Sequence, residues 1–272
     1  MVEIDWERLS AAPEDEWRTY DQFAAGIDTY RMPESDMAGQ RLTLMLDGNA
    51  ELTLEFVAAG RVNWRATGLL DSVFTANDPY EAIAVRPDVN YVHMPLTSTS
   101  GQAITVIYST RTHRAIVIHT YVRPIADDEQ PQVGQSFFAA VTDGGTPTGE
   151  VPGPSRELIG KRNIYRYSPQ HLYEHVYISS QRYAWQCLQG VQRGHGDMDL
   201  STVWRFEHGL YLFCFREFRI AVASIWLHDL GYRLRTTGNF LGLDGDGKPE
   251  HSKAGGYIYP LGTIEYPDVA PV

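Results

Sequence analysis

Glu217 closes an apolar run, Leu210-Tyr211-Leu212-Phe213-Cys214-Phe215-Arg216-Glu217. Side chains alternate along a strand, so Tyr211, Phe213, Phe215 and Glu217 share one face. A carboxyl among aromatic rings loses solvation, and its pKa should rise. That is the condition for general acid–base work near neutral pH. Two other runs carry the same kind of face. Tyr165 and Tyr167 alternate on one, and Tyr173, His175 and Tyr177 on another. If all three faces point inward, they enclose an aromatic cavity with one carboxylate and one imidazole. Such a cavity suits a flat aromatic ligand held by a few fixed polar contacts. In that arrangement Tyr165 and Tyr167 would orient the ligand's polar end, and Glu217, with His175, would move a proton.

Each of these residues also has a structural reading. Glu217 could sit at a rim and pair with Arg216, Arg219 or Arg233. Tyrosine is common in strands for packing alone, and a lone inward histidine is often a hydrogen-bonded core residue. His171 and His175 are four apart, a spacing that does not converge on a metal from a strand, and no cluster resembles a zinc site. Asp244-Gly245-Asp246-Gly247 begins like a calcium loop, but its twelfth position is Gly255 rather than glutamate, so it reads as a turn. There is no phosphate-binding glycine loop and no nucleophile elbow. The site is expected to need no metal and no cofactor.

The elements that must position these groups occur twice. Gly39 and Gly160 each open a strand-like run; Trp64 and Trp185, then Asp78 and Asp199, follow at equal spacing, a repeat of about 121 residues. A period of that length is a duplicated domain, since solenoid units run roughly 20–50 residues. Tyr91 matches Tyr211 after a one-residue slip. Leu44, Leu46, Leu54 and Thr97 stand where the second copy has Tyr165, Tyr167, His175 and Glu217. Only the second copy carries the polar signature; in the first, Arg65, Tyr91 and His93 are the inward polar candidates.

Short alternating runs separated by turn residues predict an all-β fold of two tandem antiparallel barrels. The expected division is an N-terminal helical extension over residues 1–34, a first barrel over 35–125, an irregular linker over 126–155, and a second barrel with a loop-rich tail over 156–272. Pro13 to Ala25 reads as a helix stopped by Gly26, suited to covering a barrel end or a neighbouring subunit. Asp127-Asp128-Glu129 and Asp143 to Pro147 read as exposed, with Phe137-Phe138 packing onto a domain.

A net charge of −11 argues against nucleic-acid binding, which rests on phosphate neutralisation, and against an anionic membrane surface. No stretch approaches the roughly 18 apolar residues of a membrane-spanning helix. The acidic N-terminal region does not read as a secretory signal, so a cytoplasmic location is expected. Cys187 and Cys214 lie in apolar strands and read as buried small residues.

The second copy resembles the MoaF family through Ile164-Tyr165-Arg166-Tyr167, Tyr173-Glu174, Trp185, Gly190 and the run from Leu210 to Glu217; Asp78-Pro79-Tyr80-Glu81 fits as well. The resemblance covers most of the chain, and it implies two lipocalin-like (calycin) domains and an association with molybdenum cofactor biosynthesis. More distantly, the second copy is similar to phenolic acid decarboxylases, cofactor-free enzymes on a lipocalin-like barrel. Tyr165, Tyr167 and Glu217 match that family's Tyr-x-Tyr pair and glutamate. Its catalytic arginine falls on Gln186, a departure that weakens the case for a substrate carboxylate. These resemblances imply a cofactor-independent lyase of decarboxylase, aldehyde-lyase or isomerase type acting on a phenolic molecule, with Glu217, Tyr165, Tyr167 and His175 catalytic and Tyr173, Tyr177, Gln186, Tyr211, Phe213 and Phe215 binding substrate. The alternative is a protein that binds an aromatic or pterin-like molecule without changing it. The MoaF resemblance also implies a homodimer, which exposed-looking aromatics near the N-terminus would suit.

Overall fold

The computed structural model describes residues 18–70, 74–124, 130–267, 269 and 271–272. Among the described residues, one short helix, α1 (Tyr20–Ala24), is followed by strands alone, apart from a single helical turn at Asp47–Asn49. The first sheet holds β1 (Arg41–Leu46), β2 (Glu51–Ala58), β3 (Arg61–Thr67), β4 (Phe74–Pro79), β5 (Glu81–Arg86), β6 (Val89–Leu96), β7 (Gln102–Ser109), β8 (Arg114–Val122) and β9 (Val133–Thr142). The second holds β10 (Gly153–Pro154), β11 (Lys161–Ser168), β12 (His171–Tyr177), β13 (Arg182–Gln189), β14 (Gly196–Glu207), β15 (Leu210–Arg216), β16 (Val222–Asp229), β17 (Arg235–Leu243) and β18 (Pro249–Thr263).

Both sheets are antiparallel and rolled so that the first long strand pairs with the last, while the two-residue β10 pairs with β14 at an edge of the second. β1 bonds to β9 and β11 bonds to β18. In the second copy the long strand β14 pairs with β13 at one end and β15 at the other, which closes the barrel. In the first copy the same stave is split around Tyr80 into β4, paired with β3, and β5, paired with β6. The result is two lipocalin-like barrels in tandem. The duplication extends to single bonds. Gly39 and Gly160 both take left-handed φ, +82° and +83°, where a side chain would be strained. Their amides donate to equivalent carbonyls, Phe56 at 2.7 Å and Tyr177 at 2.8 Å.

The closing strands depart from the expected domain division. The middle of the expected linker, residues 133–142, is β9, and most of the expected tail is the fifteen-residue β18. Asp143 to Pro147 is irregular as expected; Asp127-Asp128-Glu129 lies outside the described residues. Asp244 to Gly247 forms the β17–β18 turn, with Asp244 Oδ1 accepting from the amides of Asp246 (2.9 Å) and Lys248 (2.8 Å). Among the described residues no helix is long and apolar enough to cross a membrane.

The barrels do not hang apart. A third core lies between them, where the outer faces of β5 to β8 meet those of β14 to β16: Ile83, Val89 and Ile116 from one, Leu212, Cys214 and Ile225 from the other. This burial on both faces explains why β7, β15 and β16 read as continuous apolar runs. It also corrects the first copy's polar candidates. Tyr91 and His93 point out of the first barrel into this seam; the Tyr91 hydroxyl donates to Asn239 Oδ1 at 2.7 Å, and His93 Nδ1 meets Thr105 Oγ1 at 2.8 Å. Arg65 is on the exposed face of β3, opposite to its neighbour Trp64. The register shows why. Ala82 lies opposite Val92 and Val203 opposite Phe213. With Ala82 and Val203 at the repeat spacing, Val92 corresponds to Phe213, Met94 to Phe215 and Leu96 to Glu217. The one-residue slip linking Tyr91 to Tyr211 would reverse every side chain. The first-copy counterpart of Glu217 is thus Leu96, not Thr97.

Candidate functional site

The inner face of the first barrel is aliphatic: Leu44, Leu52, Leu54, Met94, Leu96 and Val106 are all fully buried in one cluster around Trp64. The second barrel keeps the geometry and changes the chemistry. Leu44, Leu52, Leu54, Phe56 and Val62 become Tyr165, Tyr173, His175, Tyr177 and Tyr183, all buried. Alternation on β11, β12, β13 and β15 aims these rings at the barrel axis, as expected from their spacing. At one level they lock together. The Tyr165 and Tyr177 hydroxyls are 2.6 Å apart, Asn163 donates to Tyr165 at 3.2 Å, and the His175 ring lies 4.4 Å from that of Tyr165.

Above that layer is a small hollow with a cavity volume of about 30 Å³. Tyr167, Tyr173, His175, Phe215 and Glu217 line it. Tyr165, Tyr177 and Phe213 are inward and buried but support the lining from behind rather than forming it. Two expected substrate-binding residues lie elsewhere. Tyr211 faces inward but away from the hollow, and its hydroxyl donates to Glu157 at 2.5 Å. Gln186 is exposed on the outer face of β13 and donates to Glu174, because its neighbour Trp185 takes the inward position. An arginine at 186 would not reach the hollow either, so its absence says nothing about the ligand.

The lining includes residues that the strand faces alone did not single out: Tyr183, Trp185, Gln192, Trp226, Phe240, and Phe23 and Ile27 from the N-terminal segment. Of the expected helix from Pro13 to Ala25, the described part is Tyr20–Ala24, and Pro13 to Trp17 lies outside the described residues. It covers a barrel end, as one of its two expected roles required. Tyr20, Phe23 and Ile27 are buried in the second barrel's core, and the segment is tied down by His171 Nε2 at 3.1 Å from the Phe23 carbonyl and by the Tyr30 amide donating to the Tyr167 carbonyl at 3.0 Å. His171 is thus a clamp for this segment.

Asp199 is the main candidate residue that the sequence alone did not place at the site. Its signal was present in the repeat itself, the equal spacing of Trp64 with Asp78 and Trp185 with Asp199. The Trp64 indole donates to Asp78 Oδ2 at 2.9 Å, and the Trp185 indole to Asp199 Oδ2 at 2.8 Å. In the first barrel, Asp78 also accepts from the amides and hydroxyls of Thr97 and Ser98, at 2.6–3.1 Å. Those bonds, with that of Trp64, hold its carboxyl below the usual range despite burial. Asp199 has a different neighbour. Leu200 pairs with Arg216 and Ser201 with Phe215. Asp199 lies near enough for its charge to act on Glu217. Neighbouring like charges disfavour ionisation, and both groups are over nine-tenths buried.

The proton balance follows. Burial first, then the charges of Asp199 and Asp197, push the Glu217 carboxyl well above its ordinary range. Burial raises Asp199 to about 6, against the lowering by the Trp185 bond. Glu217 therefore holds its proton to higher pH than an ordinary carboxyl. Of the three arginines considered for Glu217, Arg216 donates to Gln135 and Thr202 at 3.0 Å each, Arg219 pairs with Asp197 at 3.0 Å, and Arg233 lies over the Tyr232 ring. His175 is neutral, pushed down to about 3 by burial, and the lining tyrosines Tyr167, Tyr173 and Tyr183 are raised well above 10.0. They can give hydrogen bonds but do not ionise. Two buried lining atoms make no hydrogen bond, His175 Nδ1 and Trp226 Nε1. Cys187 and Cys214 are free and buried, as expected.

Comparison with known proteins agrees with this duplicated architecture. Residues 15–123 match the family model described as the MoaF N-terminal domain, and residues 152–264 match that of the MoaF C-terminal domain. The chain is also 28% identical over 223 residues to Protein MoaF of Klebsiella aerogenes, an alignment spanning 76% of this chain and 79% of that protein.

Proposed function

From a chain that belongs to the MoaF family and carries its polar chemistry in the second barrel alone, we propose cofactor-independent acid–base catalysis on a small aromatic molecule, of the carbon–carbon lyase or isomerase kind. The observation that carries this reading is Glu217, buried beside an aromatic hollow, its proton affinity raised by burial and by the charge of Asp199. A buried acid that keeps its proton at neutral pH is placed to give that proton to carbon.

A para-phenolate with a conjugated side chain gives a balanced sequence. Glu217 protonates the side-chain carbon bearing the departing group. Ring electrons form the new C–H bond and leave a quinone methide. Cleavage of the bond to the departing group then returns its electron pair, restoring the phenolate and a side-chain double bond. If that group is a carbinol, its hydroxyl proton passes to Asp199 and it leaves as an aldehyde. Transfer of that proton from Asp199 to Glu217 resets the pair. If no bond to carbon breaks, return of a proton from a different carbon gives isomerisation. Tyr167 and Tyr173 supply hydroxyl donors along the wall. Tyr165, engaged with Tyr177 and Asn163, acts by fixing that wall.

The test is incubation with a panel of alkenyl phenols in deuterated water. The expected result is a product with one solvent deuteron on the side chain, formed by wild type and reduced at least about 100-fold in Glu217→Gln. Unchanged turnover in Glu217→Gln removes Glu217 as the acid. A compound that binds tightly and is recovered unaltered and undeuterated supports the binding-protein alternative.

A further inference from the structure

The hollow is smaller than an aromatic ring. Its volume is about 30 Å³, room for about one or two water molecules, whereas an apolar cavity of roughly 150 Å³ admits benzene. Part of the lining therefore gives way when a ring enters. Most of the lining is fixed in the barrel wall. Tyr167, Tyr173, Trp185 and Trp226 stand on β11, β12, β13 and β16, and each of these strands is hydrogen-bonded to a neighbour on both sides.

The N-terminal segment is held differently. Phe23 and Ile27 reach the hollow from a stretch of chain that belongs to neither sheet. With five residues, α1 is too short to hold itself as a helix. The segment's polar ties to the barrel include His171 Nε2 at 3.1 Å from the Phe23 carbonyl, the Tyr30 amide donating to the Tyr167 carbonyl at 3.0 Å, and Arg235 donating to the Tyr30 carbonyl at 2.5 Å. Those at Tyr30 would keep one end in place while α1 lifts. The Phe23 ring meets that of Phe240 edge to face at 5.8 Å. An aromatic ligand would make the same kind of contact with that wall.

We infer that the segment from Tyr20 to Tyr30 is a displaceable strap: the Phe23 ring holds the place of the ligand's ring, and the site opens when the strap lifts off the barrel end. This rests on the reading of the hollow as an aromatic site and adds to it a gate made from the chain's own N-terminal region.

The probe is 4-methylphenol, which has the ring and the phenol but no group to lose. Binding is read by quenching of tryptophan fluorescence, since Trp185 and Trp226 line the hollow, and opening by hydrogen–deuterium exchange of backbone amides. In wild type, saturating 4-methylphenol is expected to speed exchange across residues 20–30 by about tenfold or more and to leave that of β7, in the first barrel, unchanged. Phe23→Ala, which takes the ring out of the hollow, is expected to bind the probe at least about tenfold tighter than wild type. Ile27→Ala shifts affinity in the same direction and serves if Phe23→Ala does not fold. Binding to wild type with exchange across residues 20–30 unchanged or slowed overturns the strap and leaves the aromatic site standing, as does equal affinity in wild type and both variants. Binding to none of these proteins overturns the aromatic site, and the strap with it.

Discussion

Glu217→Gln is expected to match wild type in stability near pH 4 and to exceed it at neutral pH, the gap widening by about 1.4 kcal/mol for each pH unit until the folded pKa of Glu217 is reached. Folded Glu217 keeps its proton because it is buried and near the charges of Asp199 and Asp197. The unfolded chain releases that proton near pH 4.3. A carboxyl raised on folding supports the native state fully below its unfolded pKa, and the support is lost as pH rises towards the folded value. Glutamine has no proton to hold, so the variant escapes the loss. Asp199, raised from 3.8 to about 6, adds a loss of the same sign between those two values, and both proteins share it. Urea unfolding across this range reads the difference directly. Were Glu217 instead half of a buried ion pair, the variant would be destabilised at neutral pH by on the order of 3–5 kcal/mol. The sign of the gap therefore separates a poised acid from a structural salt bridge without any substrate.

Arg86→Ala is expected to destabilise the whole chain by about 3 kcal/mol or more. Arg86 reaches across the seam between the barrels. Its guanidinium meets Asp229 at 2.7 and 3.3 Å and Glu207 at 2.7 Å. Asp229 is fully buried, and without Arg86 it keeps only two backbone donors, the amides of Tyr232 and Arg233. Arg41→Ala is the control. Arg41 pairs with Glu55 at 3.7 Å with both side chains more than half exposed, and such a pair is worth at most about 1 kcal/mol. Equal effects in the two variants would mean that the seam is not a cooperative part of the fold. One transition lost in Arg86→Ala, with a second retained, would show barrels that unfold separately.

The duplication and the polar face of its second copy were legible in the sequence because both rest on strict alternation. Tyr165, Tyr173, His175, Tyr177 and Glu217 all turned out inward and buried. What was illegible has specific causes. Strand β9 begins Val133-Gly134-Gln135-Ser136, and β18 contains Glu250-His251-Ser252-Lys253; each serves two surroundings at once and shows no simple alternation. The one-residue slip placed Tyr91 inside its barrel, yet its core-facing neighbours Val92 and Met94 fix the opposite parity. Gln186 was misplaced by the same kind of step, although Trp185 beside it had already claimed the inward side. Asp199 was visible as a repeat marker but not as chemistry. Its proton affinity is raised by burial and its charge in turn acts on Glu217, which no local pattern records.

The central claim is that Glu217 carries a proton at neutral pH beside an aromatic hollow. Infrared difference spectroscopy of wild type against Glu217→Gln tests it most directly. The account predicts a carbonyl stretch of a protonated carboxylic acid in the wild-type protein at neutral pH, shifted by exchange into deuterated water and absent from the variant. A wild-type spectrum showing only the bands of ionised carboxylate at that position would contradict it.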